Sequence, residues 1–175
     1  APDGSVLREL GGQQAAQEST GVAVALDYPN GVAVSGDEVW VSDSNNRRIV
    51  IFGRDGSFRR VLDVDALARG ITFLPASAET STLVVVADAL AQDIAIWNDD
   101  GGVLGRFGGP GSAAGQLSFP NDIAADASGK QLYVADTGNR RIQVWTWVDV
   151  EKGPAGGTPG ESDASGRMPY IIAAI

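Results

Sequence analysis

The sequence contains no cysteine, no histidine and a single methionine. Without cysteine there is no disulfide, no thiol nucleophile and no thiolate metal ligand. Without histidine the commonest general base near neutral pH is missing, and so is the commonest ligand of a catalytic metal. A serine nucleophile would therefore lack its usual imidazole partner. Long apolar runs are absent as well: Leu83 to Ala87, and the tail from Tyr170 to Ile175, are far short of the ~20 residues that a membrane-spanning helix requires. Positive charge is scarce, with 13 Lys and Arg against 22 Asp and Glu and a net charge of −9. A nucleic-acid binder needs a basic face to displace counterions, so neither nucleic-acid binding nor membrane insertion is expected. The absence of cysteine leaves the compartment open. The first residue is Ala1 rather than Met, from which a processed N-terminus and an extracytoplasmic or organelle-lumen location are expected.

Glycine, by contrast, is abundant at 23 residues, which suits a chain dense in turns. Two segments are near copies of each other. One reads Tyr28-Pro29-Asn30-Gly31-Val32-Ala33-Val34 and then Val39-Trp40-Val41-Ser42-Asp43-Ser44-Asn45-Asn46-Arg47-Arg48-Ile49-Val50-Ile51-Phe52. The other reads Phe119-Pro120-Asn121-Asp122-Ile123-Ala124-Ala125 and then Leu132-Tyr133-Val134-Ala135-Asp136-Thr137-Gly138-Asn139-Arg140-Arg141-Ile142-Gln143-Val144-Trp145. From Pro29 to Pro120 is two periods of about 45 residues, the spacing of propeller blades built from short strands. A weaker copy lies between them, with Gly70–Leu74, Leu83–Asp88 and Asp93–Trp97 as its strands. Asp-Gly pairs follow the third strand at Asp55-Gly56 and Asp100-Gly101 and supply the positive φ of a tight hairpin.

This pattern resembles the NHL repeat across roughly residues 4–147. Residues 135–145 match its core nearly letter for letter, residues 42–52 almost as well, and the middle copy departs, with Gln92-Asp93 in place of Asn-Arg-Arg. The resemblance implies an all-β fold, an NHL-type β-propeller with three four-stranded blades at about 28–62, 70–107 and 119–147.

Three blades are too few for a closed ring, which takes about four to eight. Residues 5–10 look like the closing strand of a blade that has no other strands before it. The third copy has no Asp-Gly hairpin after Trp147; residues 148–175 read as a linker with an apolar tail, the stretch 151–166 being flexible by composition. The expectation is a head-to-tail dimer closing a six-bladed ring, with residues 5–10 of each copy completing the partner's third blade. In an alternative, Tyr170–Ile175 pairs beside residues 141–147. A fragment of a longer propeller, or a subunit covered by other proteins, is the competing reading.

Connections into the innermost strand and from the second to the third strand share one face of a propeller. That places Asn30, Asp43, Asn121, Asp122 and Asp136 on a polar face about the channel, the candidate ligand site. Its oxygen donors would suit Ca2+, although no cofactor is expected. Asp43, Asp88 and Asp136 recur in every blade and read as loop braces, which leaves Asp122 as the distinctive carboxylate. Arg47, Arg48, Arg140 and Arg141 read as structural, bonded to polar groups of the neighbouring blade. Trp40, Trp97 and Trp145 read as core at equivalent positions, and Trp147 as core or partner contact. The resemblance includes enzymes: amidating lyases that hold zinc through histidine, which this chain lacks, and lactonases that hold calcium through Glu, Asn and Asp. The function expected is a non-catalytic binding or scaffolding module for protein–protein interaction. A metal-assisted lactonase or hydrolase with its site at the channel mouth, and a structural subunit of a large complex, are the alternatives.

Overall fold

The computed structural model describes residues 4–11, 24–74, 82–149 and 170–174. Among them every regular element is a β-strand, apart from two single 3-10 turns at Ser44–Asn46 and Thr137–Asn139. The strands form three antiparallel four-stranded sheets, each a blade. The first contains β1 (Pro29–Ser35), β2 (Glu38–Asp43), β3 (Arg48–Gly53) and β4 (Phe58–Asp63). The second contains β5 (Ala68–Leu74), β6 (Leu83–Asp88), β7 (Asp93–Trp97) and β8 (Val103–Gly108). The third contains β9 (Pro120–Ala125), β10 (Gln131–Asp136), β11 (Arg141–Asp149) and β12 (Tyr170–Ala174). Neighbours in sequence are neighbours in each sheet; most are joined by short hairpins, which close at little entropic cost, whereas β12 follows β11 after residues 150–169. Gly56 and Gly101 take φ of +89° and +84° at the third-to-fourth turns, as the Asp-Gly pairs require.

Each blade is apolar on both faces, so it is stable only when its neighbours cover it. The first and second blades enclose a core of Trp40, Ile49, Ile51, Ile71, Val84, Val86, Ala95 and Trp97. The second and third enclose Leu74, Val85, Ile94, Ile96, Ile123, Leu132, Val134 and Trp145. Connecting residues seal each junction from outside: Val64 and Ala66 in the first, Leu117 in the second. Trp40, Trp97 and Trp145 are buried as expected, but only Trp97 and Trp145 are equivalent, both on third strands; Trp40 belongs to β2.

The inner strands β1, β5 and β9 lie side by side and line one open groove of about 430 Å3. They approach so closely that a Cβ on Gly31 would stand 2.2 Å from the Arg69 carbonyl oxygen, and one on Gly70 2.5 Å from the Ile123 nitrogen. Only glycine fits at either point.

The chain ends differ from expectation. Residues 5–10 form no strand. Instead Leu10, with Val24 and Leu26, packs on Val41, Val50 and Phe52 at the outward face of the first blade. That apolar face needs a cover and local residues supply one. The outer strand of the third blade is β12, antiparallel to β11 from Trp145↔Ala174 to Asp149↔Tyr170. A strand from this chain's own tail therefore pairs with the last part of β11, close to the alternative in which Tyr170–Ile175 lies beside residues 141–147, and residues 141–144 keep an outer edge that no described strand occupies. Residues 151–166 and the Trp147 side chain lie outside what is described.

Candidate functional site

Asp43, Asp88 and Asp136 are buried, each at the end of a second strand. A buried carboxylate needs its charge matched by donors, and each finds them in its own loop. Asp43 accepts the Asp27 backbone N–H (2.6 Å), the Asn46 amide (2.9 Å) and Arg48 Nε (2.6 Å). Asp136 accepts the Ser118 N–H (2.7 Å), the Asn139 amide, Arg141 Nε (2.7 Å) and the Gln143 amide (3.0 Å). Burial acts to raise the Asp136 pKa, but the Ser118 N–H, Asn139, Arg141 and Gln143 together outweigh it and hold the carboxyl below its ordinary value. In all three blades the first bond ties the carboxylate to the segment that leads into the innermost strand, since Asp88 likewise accepts the Leu67 N–H.

The middle blade solves the same problem with different residues. Position 93 is opposite Asp88 in the ladder, where Arg48 stands opposite Asp43 and Arg141 opposite Asp136. An aspartate there would leave two carboxylates facing each other. Arg106, reaching across from β8, bonds both Asp88 (3.0 Å) and Asp93 (2.7 Å). Burial, and to a lesser extent the Asp88 charge, raise the Asp93 pKa against the pull of Arg106.

The second arginine of each pair, Arg48 and Arg141, is thus structural, but its carboxylate partner is its own blade's aspartate, not a group of the neighbouring blade. Arg141 also donates to the carbonyls of Ser112, Ala113 and Gln116, and Arg48 to that of Ala25. The first arginine of each pair turns the loop instead. Arg47 and Arg140 adopt left-handed φ of 49° and 56°, and Arg47 makes only an exposed pair with Asp65.

Of the five candidate ligand residues, Asp43 and Asp136 are therefore withdrawn from the channel and do not converge. Asp122 is exposed and accepts the N–H of Ile123 (2.9 Å), lying over Gly70, whose missing side chain leaves it room. Asn121 is exposed. Asn30 stands at the mouth, where its amide donates to the Tyr28 carbonyl and the Ser44 hydroxyl, both at 2.8 Å. Its oxygen accepts Arg69 Nη1 at 2.9 Å. No group of three or more Asp or Glu that could hold a metal occurs among the described residues.

The mouth contains residues that the sequence did not single out. The Arg69 guanidinium lies 5.3 Å from the centroid of the Phe119 ring, and its Nε is buried without a partner among the described groups. Phe119 and Tyr28 are the residues before Pro120 and Pro29, both with left-handed φ, 49° and 52°, and both rings are exposed. Positive φ is costly for a bulky residue, so the turn into each inner strand carries an unusual backbone at its aromatic residue. The cluster spans all three blades: Tyr28 and Asn30 from the first, Arg69 from the second, Phe119 from the third. The available signal was positional. Arg69 stands where the other copies have Asn30 and Asn121, and an aromatic precedes proline in both strong copies.

Three stacked four-stranded antiparallel sheets, with their inner strands about one groove, define a partial β-propeller. The chain carries NHL repeats: the NHL repeat model matches residues 26–52 and 117–145, in the first and third blades. The middle blade, with Asp93 in place of arginine, falls outside both matches. No curated protein sequence matches this one. Among solved structures, 38 chains match. One is Kuenenia stuttgartiensis hydrazine synthase, at 16% identity and a TM-score of 0.53 over 75% of this chain. This chain spans 35% of the length of that one, and the likeness is one of fold.

Proposed function

We propose that the chain is a non-catalytic protein-interaction module whose binding face is the mouth cluster of Tyr28, Asn30, Arg69 and Phe119. One observation carries the reading: at the groove mouth the Arg69 guanidinium, bonded to Asn30 through one Nη, lies 5.3 Å from the exposed Phe119 ring, and a second exposed aromatic, Tyr28, stands two residues before Asn30. Aromatics and arginine are the residue types that dominate interface energetics, because they bury large area at low entropic cost and bond directionally. The chemistry fits an extended partner segment that offers a carboxylate or backbone carbonyl to Arg69 and an apolar side chain to the rings. The commitment of Asp43, Asp88 and Asp136 to their own loops also favours binding over metal-assisted hydrolysis, which needs carboxylates that converge on an ion. A net charge of −9 opposes polyanions, so the partner is a protein rather than a nucleic acid.

The test is a peptide-display selection against the chain, followed by titration of selected peptides against variants. Arg69→Gln and Tyr28→Ala should each weaken binding at least tenfold with no change in thermal stability. Peptides that bind both variants as tightly as the parent would refute this face as the site.

A further inference from the structure

We propose that a second copy of this chain docks on the two uncovered blade faces at the ends of the arc, head to tail, to close a six-bladed ring. This surface is separate from the mouth and would close whatever the mouth binds.

At each internal junction the forward face of a blade meets the rear face of the next. The forward face carries Trp40, Ile49 and Ile51 in the first blade, and Val85, Ile94 and Ile96 in the second. The third blade presents Tyr133, Ile142 and Val144 at the same ladder positions. Ile49 and Ile94 are 0% exposed, whereas Ile142 is 63% and Tyr133 40% exposed. The face keeps its inter-blade character, and no described blade covers it.

At the other end the rear face of the first blade is half covered. Ile71 and Ile123, on the rear faces of the second and third blades, are 5% and 3% exposed, while their equivalent Val32 is 65% exposed. Yet the outer part of that face already has the seal of a junction. Leu26 lies against Gly11 as Leu117 lies against Gly108, with a glycine Cβ there meeting the leucine Cδ1 at 2.5 and 2.7 Å. Both glycines have positive φ. Leu10 packs in the cluster of Phe52 as Phe107 packs on Trp145. Residues 7–11 thus occupy the place of the last part of β8, the outer strand of a preceding blade. The first blade carries the linker half of a junction, and no described strands form the blade half.

The missing blade must offer a forward face and a third strand with a free outer edge beside residues 7–11. The third blade of a second copy offers both. In the middle blade β8 pairs with residues 93–97, equivalent to 141–145. β12 pairs with residues 145–149 only, and no described strand lies on the outer edge of residues 141–144. Transferring the β8 register sets Leu10 opposite Ile142 and Glu9 opposite Gln143. Glu9 then holds the position of Arg106, diagonal to Arg141, which holds that of Asp93. The diagonal Asp93–Arg106 pair of the middle blade becomes Arg141–Glu9 with its charges exchanged, while Asp136, in the place of Asp88, keeps its bond to Arg141. Three blades in each copy make six, within the about four to eight of closed propellers, and a two-fold axis relates the two junctions.

The test is mass in solution by sedimentation equilibrium, with two variants. Ile142→Glu and Val32→Glu change residues already exposed in the single chain, so each should fold, checked by circular dichroism. The parent chain should run at twice its 18.1 kDa mass and each variant as a monomer. Mixing the two variants supplies one intact junction, from the Val32→Glu chain's third blade and the Ile142→Glu chain's first blade, and should restore dimer. A monomeric parent, a parent that forms species larger than a dimer, a dimer that survives either substitution, or a mixture that stays monomeric would each overturn the proposal. None of these results bears on peptide binding by Arg69, which is read separately.

Discussion

At the scale of single residues, the buried aspartate is the unit on which each blade entry is built. Asp136 has donors on both carboxyl oxygens, and its folded pKa lies below the unfolded value. The stability it contributes is therefore fully present above the ordinary aspartate value of ~3.9 and is lost as pH falls through its lower folded pKa. Asp136→Asn should cost about 1.5–3 kcal/mol at neutral pH, the worth of hydrogen bonds to a charged group. It should also flatten the acid limb of a plot of melting temperature against pH. A variant with the parent's acid limb would show that other carboxylates govern acid unfolding.

At the scale of elements, the middle blade shows how one ladder position can change charge when its diagonal partner changes too. The first blade has Arg48 on its third strand and an apolar Val61 on the fourth; the second has Asp93 and Arg106. Asp93→Arg alone would set two guanidinium groups on Asp88. It should destabilise, and adding Arg106→Val should recover most of the loss. A double-mutant cycle by urea denaturation is expected to give a coupling of about 1–3 kcal/mol; additive effects would mean that the two positions are independent. The same exchange explains what the sequence made legible. The first and third blades could be read from Pro, Val-Ala-Asp or Val-Ser-Asp and Arg-Arg-Ile because those letters report local turns and ladders. Arg106 could not be read as the substitute for Arg48, since it lies on a different strand and meets Asp88 only across the sheet. Asp43 and Asp136 could be placed on the channel-side loops and, because they recur in every blade, read as loop braces, which is how they are bonded; which donors each carboxylate turns to could not be read, because the sequence shows which residues share a loop but not which way a side chain points. Tyr28 and Phe119 were visible as letters, but their left-handed backbone was not. That residues 5–10 cover the rear face of the first blade within the chain is a long-range contact that no local pattern encodes.

At the scale of the molecule, the middle blade is the only one of the three with both faces covered by described neighbours, and every residue of β6 is buried. The outer blades each keep a face exposed, at Val32 and at Ile142. Opening a blade costs the contacts on every covered face, so a single chain should not open uniformly. Amide hydrogen exchange should be slowest in β6 and β7, reaching the protection of global unfolding, and faster in β1 and β11, which can open while the middle blade persists. Closing the ring would erase that gradient, because every blade would then be covered on both sides. Exchange in β1 and β11 should slow more steeply than in β6 as protein concentration rises and converge on it, since association raises the cost of global unfolding for all blades but removes local opening only in the outer ones, so the kinetics of labile protons would record how many blades have found a neighbour.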